Sequence, residues 1–403
     1  MKFFTRKKKR IYLDYAAATP VRPRVHEVMK PYFSEYFANA SAIHREGVMV
    51  REAVDDARAR IARLLKARPE NVYFTGSGTE SNNLAILGTL EARLAAGVNY
   101  EDMEIISTRL EHPSVTQTLE QAATLGVRVH YVEVDETGMI DQASFAHLLS
   151  EKTVLCTFAY INSEIGVIQD VGKLVRAVRA FEKKTGARIY VHTDGAQAPL
   201  WATCEIDRLM VDMLSLDAGK CYGPKGVGLL VLRHGTELSA ITHGGPQEGG
   251  LRPATENVPG IVGTAEAITL AQEQYQDRVV HVERVRDTFI AELLKIEGSV
   301  LNGHQEKRVA NNVNISIPGI DSEFAVVVLD EAGVACATKS ACSGADGAGS
   351  SVVMAITHDA ARAQSTLRFT LGEDTTTAEA VKTAKLLHAH VQKTRATMDT
   401  LTQ

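Results

Sequence analysis

The sequence predicts an α/β protein, with a large domain built on a mostly parallel β-sheet and a smaller α+β domain after it. Strand-like and helix-like segments alternate from about residue 50 to residue 235, which is typical of parallel strands joined by crossover helices. The alternation stops after Ile261, where longer helical segments begin. The length of 403 residues also allows two or three domains, at roughly 150 residues each.

The alternating region is expected to supply the sheet and the helices that cover it. Strands are predicted at residues 71–75, 104–107, 127–134, 153–161, 188–193, 213–216 and 228–232. Helices are predicted at residues 81–96, 115–125, 142–149 and 171–184. In such a sheet, ligands bind where the carboxyl ends of the strands pass into loops.

The C-terminal region is expected to form most of the smaller domain. It is predicted to open with one long helix and to continue with shorter segments and a final helix, at residues 263–295, 313–317, 325–331, 366–371 and 377–398. We place the domain boundary near residue 260. Residues 26–260 then form the large domain, and residues 1–25, an N-terminal arm, join residues 261–403 in the small one.

Composition excludes several classes of protein. Hydrophobic residues make up 45% of the chain and charged residues 23%, which argues against wholesale disorder and fibrous repeats. No run approaches the ~18 apolar residues of a membrane span, and no long apolar stretch follows the N-terminus as in a secretory signal. We therefore expect a cytoplasmic protein without membrane contacts.

The net charge of −5 is unevenly distributed. The first ten positions carry six basic residues and no acidic one, so a basic tail precedes an acidic body. Such a tail can contact RNA or anionic lipid, but a solvated terminus has the same composition. We expect no direct nucleic-acid function.

Residues 75–83, T-G-S-G-T-E-S-N-N, follow a predicted strand and open a predicted helix. Gly76 and Gly78 allow close backbone approach, and Thr79 adds a hydroxyl group. Unpaired N–H groups at a helix amino terminus bind phosphate well, so this segment is a candidate phosphate site. An ordinary turn with a Ser or Thr cap remains the alternative.

An acid and an amine stand at the ends of two later strands. Asp194 lies in H-T-D-G-A-Q, and Lys220 follows in S-L-D-A-G-K. Together with a phosphate site, they form the set that pyridoxal phosphate requires, because a lysine binds this cofactor covalently and an acid pairs with its pyridinium nitrogen. A structural salt bridge and a surface lysine are the alternative.

Two further residues have chemistry suited to such a site. The imidazole of His112, in E-H-P-S-V, can stack on a ring or transfer a proton. The guanidinium of Arg368, in L-R-F-T-L-G, suits a substrate carboxylate, although a structural ion pair is equally compatible.

Cys342 lies among small and polar residues in S-A-C-S-G-A-D-G-A-G-S-S. We expect a mobile loop that can carry its thiolate into a cleft, with an incidental cysteine in a linker as the alternative. The chain has five cysteines and no C-x-x-C pair, which fits a reducing compartment and argues against disulfides or a thiolate zinc site.

Taken in order, these motifs resemble the cysteine desulfurase family of pyridoxal phosphate enzymes, in the branch with the longer cysteine loop. The matching segments are residues 11–20, 74–83, 111–115, 164–170, 192–197, 220–226, 243–255, 340–342 and 367–372. The resemblance implies the pyridoxal phosphate transferase fold, fold type I. It also implies a homodimer that converts L-cysteine to alanine.

The resemblance also implies residue roles. Lys220 would carry the cofactor and move the substrate's α-proton, and Cys342 would attack the substrate sulfur and become a persulfide. The remaining positions would bind cofactor or substrate: Asp194 the pyridine nitrogen, Gln197 the phenolic oxygen, His112 the ring face, Gly78 and Thr79 the phosphate, Thr255 the phosphate of the neighbouring subunit, and Asn39 and Arg368 the substrate carboxylate.

The chain departs from the family pattern at several positions. Ser163 stands where the family has Asn, and Lys339 stands where it has a small residue. Asp217 and Gly219 replace a Ser and a His that donate to the phosphate. Two unit charges ~4 Å apart repel by about 4 kcal/mol at an effective dielectric of ~20. Asp217 therefore points away, or a cation compensates it, or the cofactor binds weakly.

We expect a cysteine desulfurase that passes sulfur to an acceptor protein, for iron–sulfur clusters or RNA thiolation. Two alternatives remain open at this point. One is a related lyase acting on selenocysteine or a cysteine analogue. The other is a non-catalytic dimeric scaffold with a decayed phosphate site.

Overall fold

The computed structural model of the chain describes residues 10–338 and 349–402. Within these ranges the strands are β1 (Ile11–Tyr12), β2 (Val72–Thr75), β3 (Glu104–Ser107), β4 (Arg128–Tyr131), β5 (Thr153–Ala159), β6 (Tyr190–Asp194), β7 (Met213–Asp217), β8 (Gly228–Leu232), β9 (Val300–Leu301), β10 (Asn312–Ser316), β11 (Val334–Ala335) and β12 (Thr366–Thr370). The α-helices are α1 (Pro23–Met29), α2 (Arg45–Leu65), α3 (Gly78–Ala95), α4 (Pro113–Thr124), α5 (Gln142–Leu148), α6 (Val171–Thr185), α7 (Ile206–Leu209), α8 (Val258–Glu273), α9 (Tyr275–Leu293), α10 (Ser322–Glu331), α11 (Ser351–Thr357), α12 (Ala360–Gln364) and α13 (Thr377–Thr402).

A seven-stranded sheet forms the centre of the molecule, in the order β2-β8-β7-β6-β5-β3-β4. Every neighbouring pair is parallel except those made by β8, which runs antiparallel to β2 and β7. All seven strands predicted between residues 50 and 235 belong to this sheet, so the α/β prediction with a mostly parallel sheet is confirmed. Strands β5 to β8 are almost wholly buried, as expected for a sheet covered on both faces.

Two helices begin at the carboxyl-end edge of this sheet, and their caps fix where they start. Ser77 caps α3, its side chain accepting a hydrogen bond from the Glu80 backbone N–H. His112 caps α4 in the same way through the N–H of Ser114, and Pro113 occupies the first helical position. Such caps satisfy N–H groups that have no partner within the helix.

The single long helix predicted over residues 263–295 is wrong. The segment forms two helices, α8 and α9, which are separated at Gln274, a residue with φ −120°. The buried side chain of Arg278 explains the break, because its guanidinium donates to the carbonyls of Leu270 and Ala271 at the end of α8. These carbonyls therefore find a partner without continuation of the helix.

The C-terminal part contains a small antiparallel sheet in the order β12-β10-β9. The N-terminal segment joins it, because β1 pairs with β11 and Asp14 bridges to Thr370. The division into two domains with a boundary near 260 stays a prediction. No helix in the described part of the chain has the length and apolarity required to cross a bilayer.

Candidate active site

A cavity of about 140 Å³ opens at the carboxyl ends of β5, β6 and β7. Its walls include the amino-terminal ends of α3 and α4 and the segment at Ala16 and Ala17. It brings together seven of the residues predicted from sequence: Gly78, Thr79, His112, Asp194, Gln197, Lys220 and Arg368. The cavity therefore lies at the edge of the sheet where a ligand was expected.

The carboxylate of Asp194 is held in place by two donors. Only 9% of this residue is exposed. Its Oδ2 accepts a hydrogen bond of 2.9 Å from Asn82 Nδ2, and its Oδ1 accepts one of 2.9 Å from the Ala196 backbone N–H. These donors offset the cost of burying the acid and fix its position at the end of β6.

His112 is connected to the same network through Ser114. Its Nδ1 accepts a hydrogen bond of 3.1 Å from the Ser114 backbone N–H and lies 2.8 Å from Ser114 Oγ. Asn82 Nδ2 lies 2.9 Å from that same Oγ. Burial lowers the pKa of His112. The neutral ring therefore carries its proton on Nε2, because Nδ1 is an acceptor.

Lys220 and Gln197 both reach the main chain of the N-terminal segment. Lys220 Nζ donates to the carbonyl of Ala17 over 2.6 Å, and Gln197 Nε2 donates to that of Ala16 over 3.1 Å. Lys220 lies in a short turn that directly follows β7. The turn places its amine on the same side of the sheet as Asp194, and both residues line the cavity.

Arg368 lies in β12 and is 1% exposed. Its Nη2 donates to Asp14 Oδ1 over 2.8 Å and its Nη1 to the carbonyl of Ser163 over 3.2 Å. Its Nε is buried without a hydrogen-bond partner among the described residues. A buried N–H without an acceptor costs about 1–3 kcal/mol, so a ligand carboxylate would satisfy this group.

Asp217 does not point away from the candidate phosphate site. Its Oδ2 accepts a hydrogen bond of 3.1 Å from the backbone N–H of Gly78, the first residue of α3. Its Oδ1 accepts one of 2.8 Å from the Gly219 N–H. A carboxylate therefore lies at the helix terminus where the sequence predicts a phosphate.

The family pattern has an Asn at the position of Ser163, and this chain has one at the preceding position, Asn162. Asn162 does not replace the family's Asn, because its side chain is bonded elsewhere. Its Oδ1 accepts from the backbone N–H groups of Glu164 and Ile165, and its Nδ2 donates to the carbonyl of Leu110. The side chain is 5% exposed. Its polar atoms shape the loop after β5 and are already engaged by the main chain.

Three predicted residues are not part of this cavity. Asn39 and Thr255 are exposed and do not line it, and Asn39 Oδ1 accepts from the Ser41 backbone N–H. Cys342 lies outside the described residues. The roles predicted for these three residues stay predictions.

Sequence reasoning missed three residues that position the site. Asn82 holds Asp194, Ser114 links Asn82 to His112, and Asp14 binds Arg368. Each lies in one of the segments that match the family pattern, residues 74–83, 111–115 and 11–20, but was given no role of its own. Asn82 follows Gly78 by about one helical turn, so the helical period was the signal that could have placed it beside the cavity.

Known proteins resemble this chain over nearly its full length. The family model described as "Aminotransferase class-V" matches residues 11–382. Cysteine desulfurase IscS of Dictyoglomus turgidum is 37% identical over 389 residues, covering 96% of each chain. Cysteine desulfurase IscS 1 of Archaeoglobus fulgidus is 34% identical, covering 96% of this chain and 98% of that protein.

A solved structure shows the same architecture. The chain of a NifS-like protein superposes with a TM-score of 0.87 at 30% identity, covering 95% of this chain and 99% of that one. The expected pyridoxal phosphate transferase fold is thereby confirmed.

Proposed function

Because this chain belongs to the aminotransferase class-V family, as a pyridoxal phosphate-dependent cysteine desulfurase, we propose that the cavity around Lys220 is its active site and Cys342 its sulfur acceptor. One observation carries the proposal: the amine of Lys220, the carboxylate of Asp194 and the imidazole of His112 line a single cavity. This membership disfavours the non-catalytic scaffold and the lyase for another amino acid.

The residues fit the ring of the cofactor. Asp194 presents a buried carboxylate for the pyridine nitrogen, and Asn82 Oδ1 is a further buried oxygen without a partner in the described chain. Lys220 supplies the amine that binds the aldehyde, while Gln197 and His112 flank the same space. When bound, pyridoxal phosphate supplies an electron sink that stabilises negative charge on the substrate's α-carbon.

The remaining residues bind the substrate and move its protons. The free Nε of Arg368 suits the carboxylate of L-cysteine, and Asn39 is proposed as a second donor to it. Lys220 Nζ then takes the α-proton as a general base. The neutral imidazole of His112 carries its proton on Nε2, because Nδ1 is already bonded to the N–H of Ser114, and we assign this Nε2–H to proton transfer with the substrate.

The sulfur is transferred to Cys342. Its thiolate attacks the substrate sulfur, so that an S–S bond forms and the bond between that sulfur and the β-carbon breaks. The electron pair of the broken bond stays on the β-carbon, which takes up a proton, and alanine leaves. The outer sulfur of the Cys342 persulfide then passes to an acceptor protein, for iron–sulfur clusters or RNA thiolation.

We also propose a homodimer, because exposed apolar side chains concentrate in one stretch of chain. Phe37 is 77% exposed and Ile43 94%. Gln247 Nε2 lies 3.5 Å from Ser41 Oγ, so this stretch meets the loop that contains Thr255. A second copy of the chain would cover the apolar side chains and receive Thr255 at its phosphate site.

Light scattering tests the dimer. Phe37→Ser with Ile43→Ser should yield a monomer, whereas Val280→Ser, at another exposed apolar position, should not. A double variant with the mass of the native assembly would contradict the proposed interface.

We further place the protein in the cytoplasm. Within residues 10–338 and 349–402, Cys156, Cys204, Cys221 and Cys336 are free, and thiols stay reduced in that compartment. Burial raises the pKa of Cys336 to about 12, so this thiol is a poor nucleophile near neutral pH.

Cys336 therefore provides a matched control for the sulfur acceptor. Protein loaded with cofactor is given L-cysteine, and alanine and protein persulfide are measured. Cys342→Ala should lose more than about a hundredfold in alanine formation and all persulfide, whereas Cys336→Ala should retain both. Persulfide mapped to another cysteine, or undiminished turnover of Cys342→Ala, would contradict the proposal.

A further inference from the structure

The side chain of Asp217 packs closely against Gly78, the first residue of α3. Its Oδ2 bonds the N–H of Gly78, and its Oδ1 bonds that of Gly219. A β-carbon built on Gly78 would lie 3.2 Å from both the Cβ and the Oδ2 of Asp217. The carboxylate therefore fills the space next to the first residue of the helix.

Most of the donors at this helix terminus are already used inside the chain. The N–H of Gly78 bonds Asp217, and that of Glu80 bonds Ser77 Oγ. The N–H of Ser81 bonds the carbonyl of Ser77. A phosphate that is to use the Gly78 N–H must displace the carboxylate that now accepts from it.

No basic side chain in the described part of the chain pairs directly with this carboxylate. Within residues 10–338 and 349–402, no Lys or Arg forms a salt bridge with Asp217. The two nearest lysines in sequence bond main-chain carbonyls, Lys220 that of Ala17 and Lys225 that of Thr19. A phosphate beside Asp217 would therefore meet a like charge as well as an occupied donor.

We propose that the Asp217 carboxylate is an internal occupant of the phosphate site and competes there with the 5′-phosphate of the cofactor. The native chain consequently binds pyridoxal phosphate and pyridoxal with similar affinity. When pyridoxal phosphate binds, the Asp217 carboxylate leaves the Gly78 N–H. This inference deepens the proposed function, since it concerns the phosphate end of the same site.

Equilibrium dialysis of cofactor-free protein against each aldehyde tests the proposal. Asp217→Ser should tighten the binding of pyridoxal phosphate by roughly tenfold or more and change that of pyridoxal by less than about twofold. Asp217→Asn should also tighten the binding of pyridoxal phosphate, because it removes the charge while keeping the shape. Unchanged affinity for pyridoxal phosphate in both variants, or equal changes for both aldehydes, would overturn the proposal.

Asp141→Ser is the matched control. Asp141 is also a carboxylate that caps a helix, accepting from the Ser144 N–H at the start of α5, and it does not line the cavity. Its replacement should leave the affinity ratio of the two aldehydes unchanged. A ratio altered as much as in Asp217→Ser would show that loss of a helix cap explains the effect, and would contradict the proposal.

One further measurement needs neither the aldehyde nor turnover. Inorganic phosphate should raise the melting temperature of cofactor-free Asp217→Ser and leave that of the native chain unchanged; no difference between them would count against the proposal. Because no L-cysteine is added in the dialysis or in the melting experiment, failure of sulfur transfer at Cys342 cannot affect the result of either.

Gly219 adds a second test of the same geometry. A β-carbon at Gly219 would lie 3.1 Å from Asp217 Oδ1, so Gly219→His is crowded while Asp217 is present. Asp217→Ser with Gly219→His should bind pyridoxal phosphate at least as tightly as Asp217→Ser alone. Binding weaker than that of the native chain would overturn the idea that the carboxylate obstructs this site.

Discussion

Asn82 Nδ2 lies 2.9 Å from Asp194 Oδ2, so a side chain of α3 fixes the acid at the end of β6. The same amide nitrogen lies 2.9 Å from Ser114 Oγ, which in turn lies 2.8 Å from His112 Nδ1. The acid and the imidazole are thus positioned by one amide group. Neither side chain can rotate freely without breaking this chain of hydrogen bonds.

Asn82→Ala should therefore lower kcat by about 10- to 100-fold while the protein stays folded, because hydrogen bonds to a charged group contribute about 1.5–3 kcal/mol. Steady-state alanine formation measures the effect, and the visible spectrum of the bound cofactor should shift as well. Asn83→Ala is the control, since Asn83 Nδ2 donates to the Thr79 carbonyl within its own helix. Equal losses in the two variants would contradict a positioning role for Asn82.

Asp194→Ala should reduce turnover far more than Gln197→Ala. Removing one partner of a buried charge pair costs about 3–5 kcal/mol, or roughly two to four powers of ten in rate. Gln197 contributes one neutral hydrogen bond donor, and loss of such a bond costs about 0.5–1.5 kcal/mol. Both variants are to be assayed with saturating cofactor, and matching kcat values would refute the assignment of Asp194 as the pyridinium partner.

Much of the fold was predictable from sequence because local patterns determine it. The buried strands carry short apolar runs, and the loops after them carry Gly, Ser and Asp, so the sheet and its ligand edge follow from run length and flanking turn residues. The break between α8 and α9 was not predictable, because it depends on where the Arg278 guanidinium folds back in three dimensions. The position of Asp217 on Gly78 likewise joins residues 139 positions apart.

Glu111 should make the stability of the protein depend on pH. Burial raises the pKa of this carboxyl to about 8. The native state then holds a proton that the unfolded state has released above its ordinary pKa, so stability falls as the pH rises from about 5 to about 8. Glu111→Gln cannot release this proton, and should gain stability relative to the native chain by a few kcal/mol over that interval.

Urea unfolding at both ends of the interval measures the change. Thr108 Oγ1 lies 2.6 Å from Glu111 Oε1, and the amide oxygen of Gln can accept the same bond. Glu120→Gln, at an exposed position on α4, should show the pH dependence of the native chain. If Glu111→Gln loses stability with rising pH as steeply as the native chain, the acid is already ionised at pH 5 and the prediction fails.

Ala254 has a φ of 98°, a conformation that costs a residue with a β-carbon about 1–3 kcal/mol and that glycine adopts freely. Ala254→Gly should therefore raise the free energy of unfolding by about 1 kcal/mol, after allowance for the greater freedom of glycine in the unfolded chain. Ala332→Gly is the matched control, because Ala332 has a φ of −75° at the end of α10. There glycine should lower stability by about 0.5–1 kcal/mol. Urea unfolding measures both changes in stability. A gain in Ala254→Gly with a loss in Ala332→Gly would locate the strain at Ala254, next to Thr255, the residue proposed to reach the neighbouring subunit. A loss of stability in both variants would show that the loop carries no such strain.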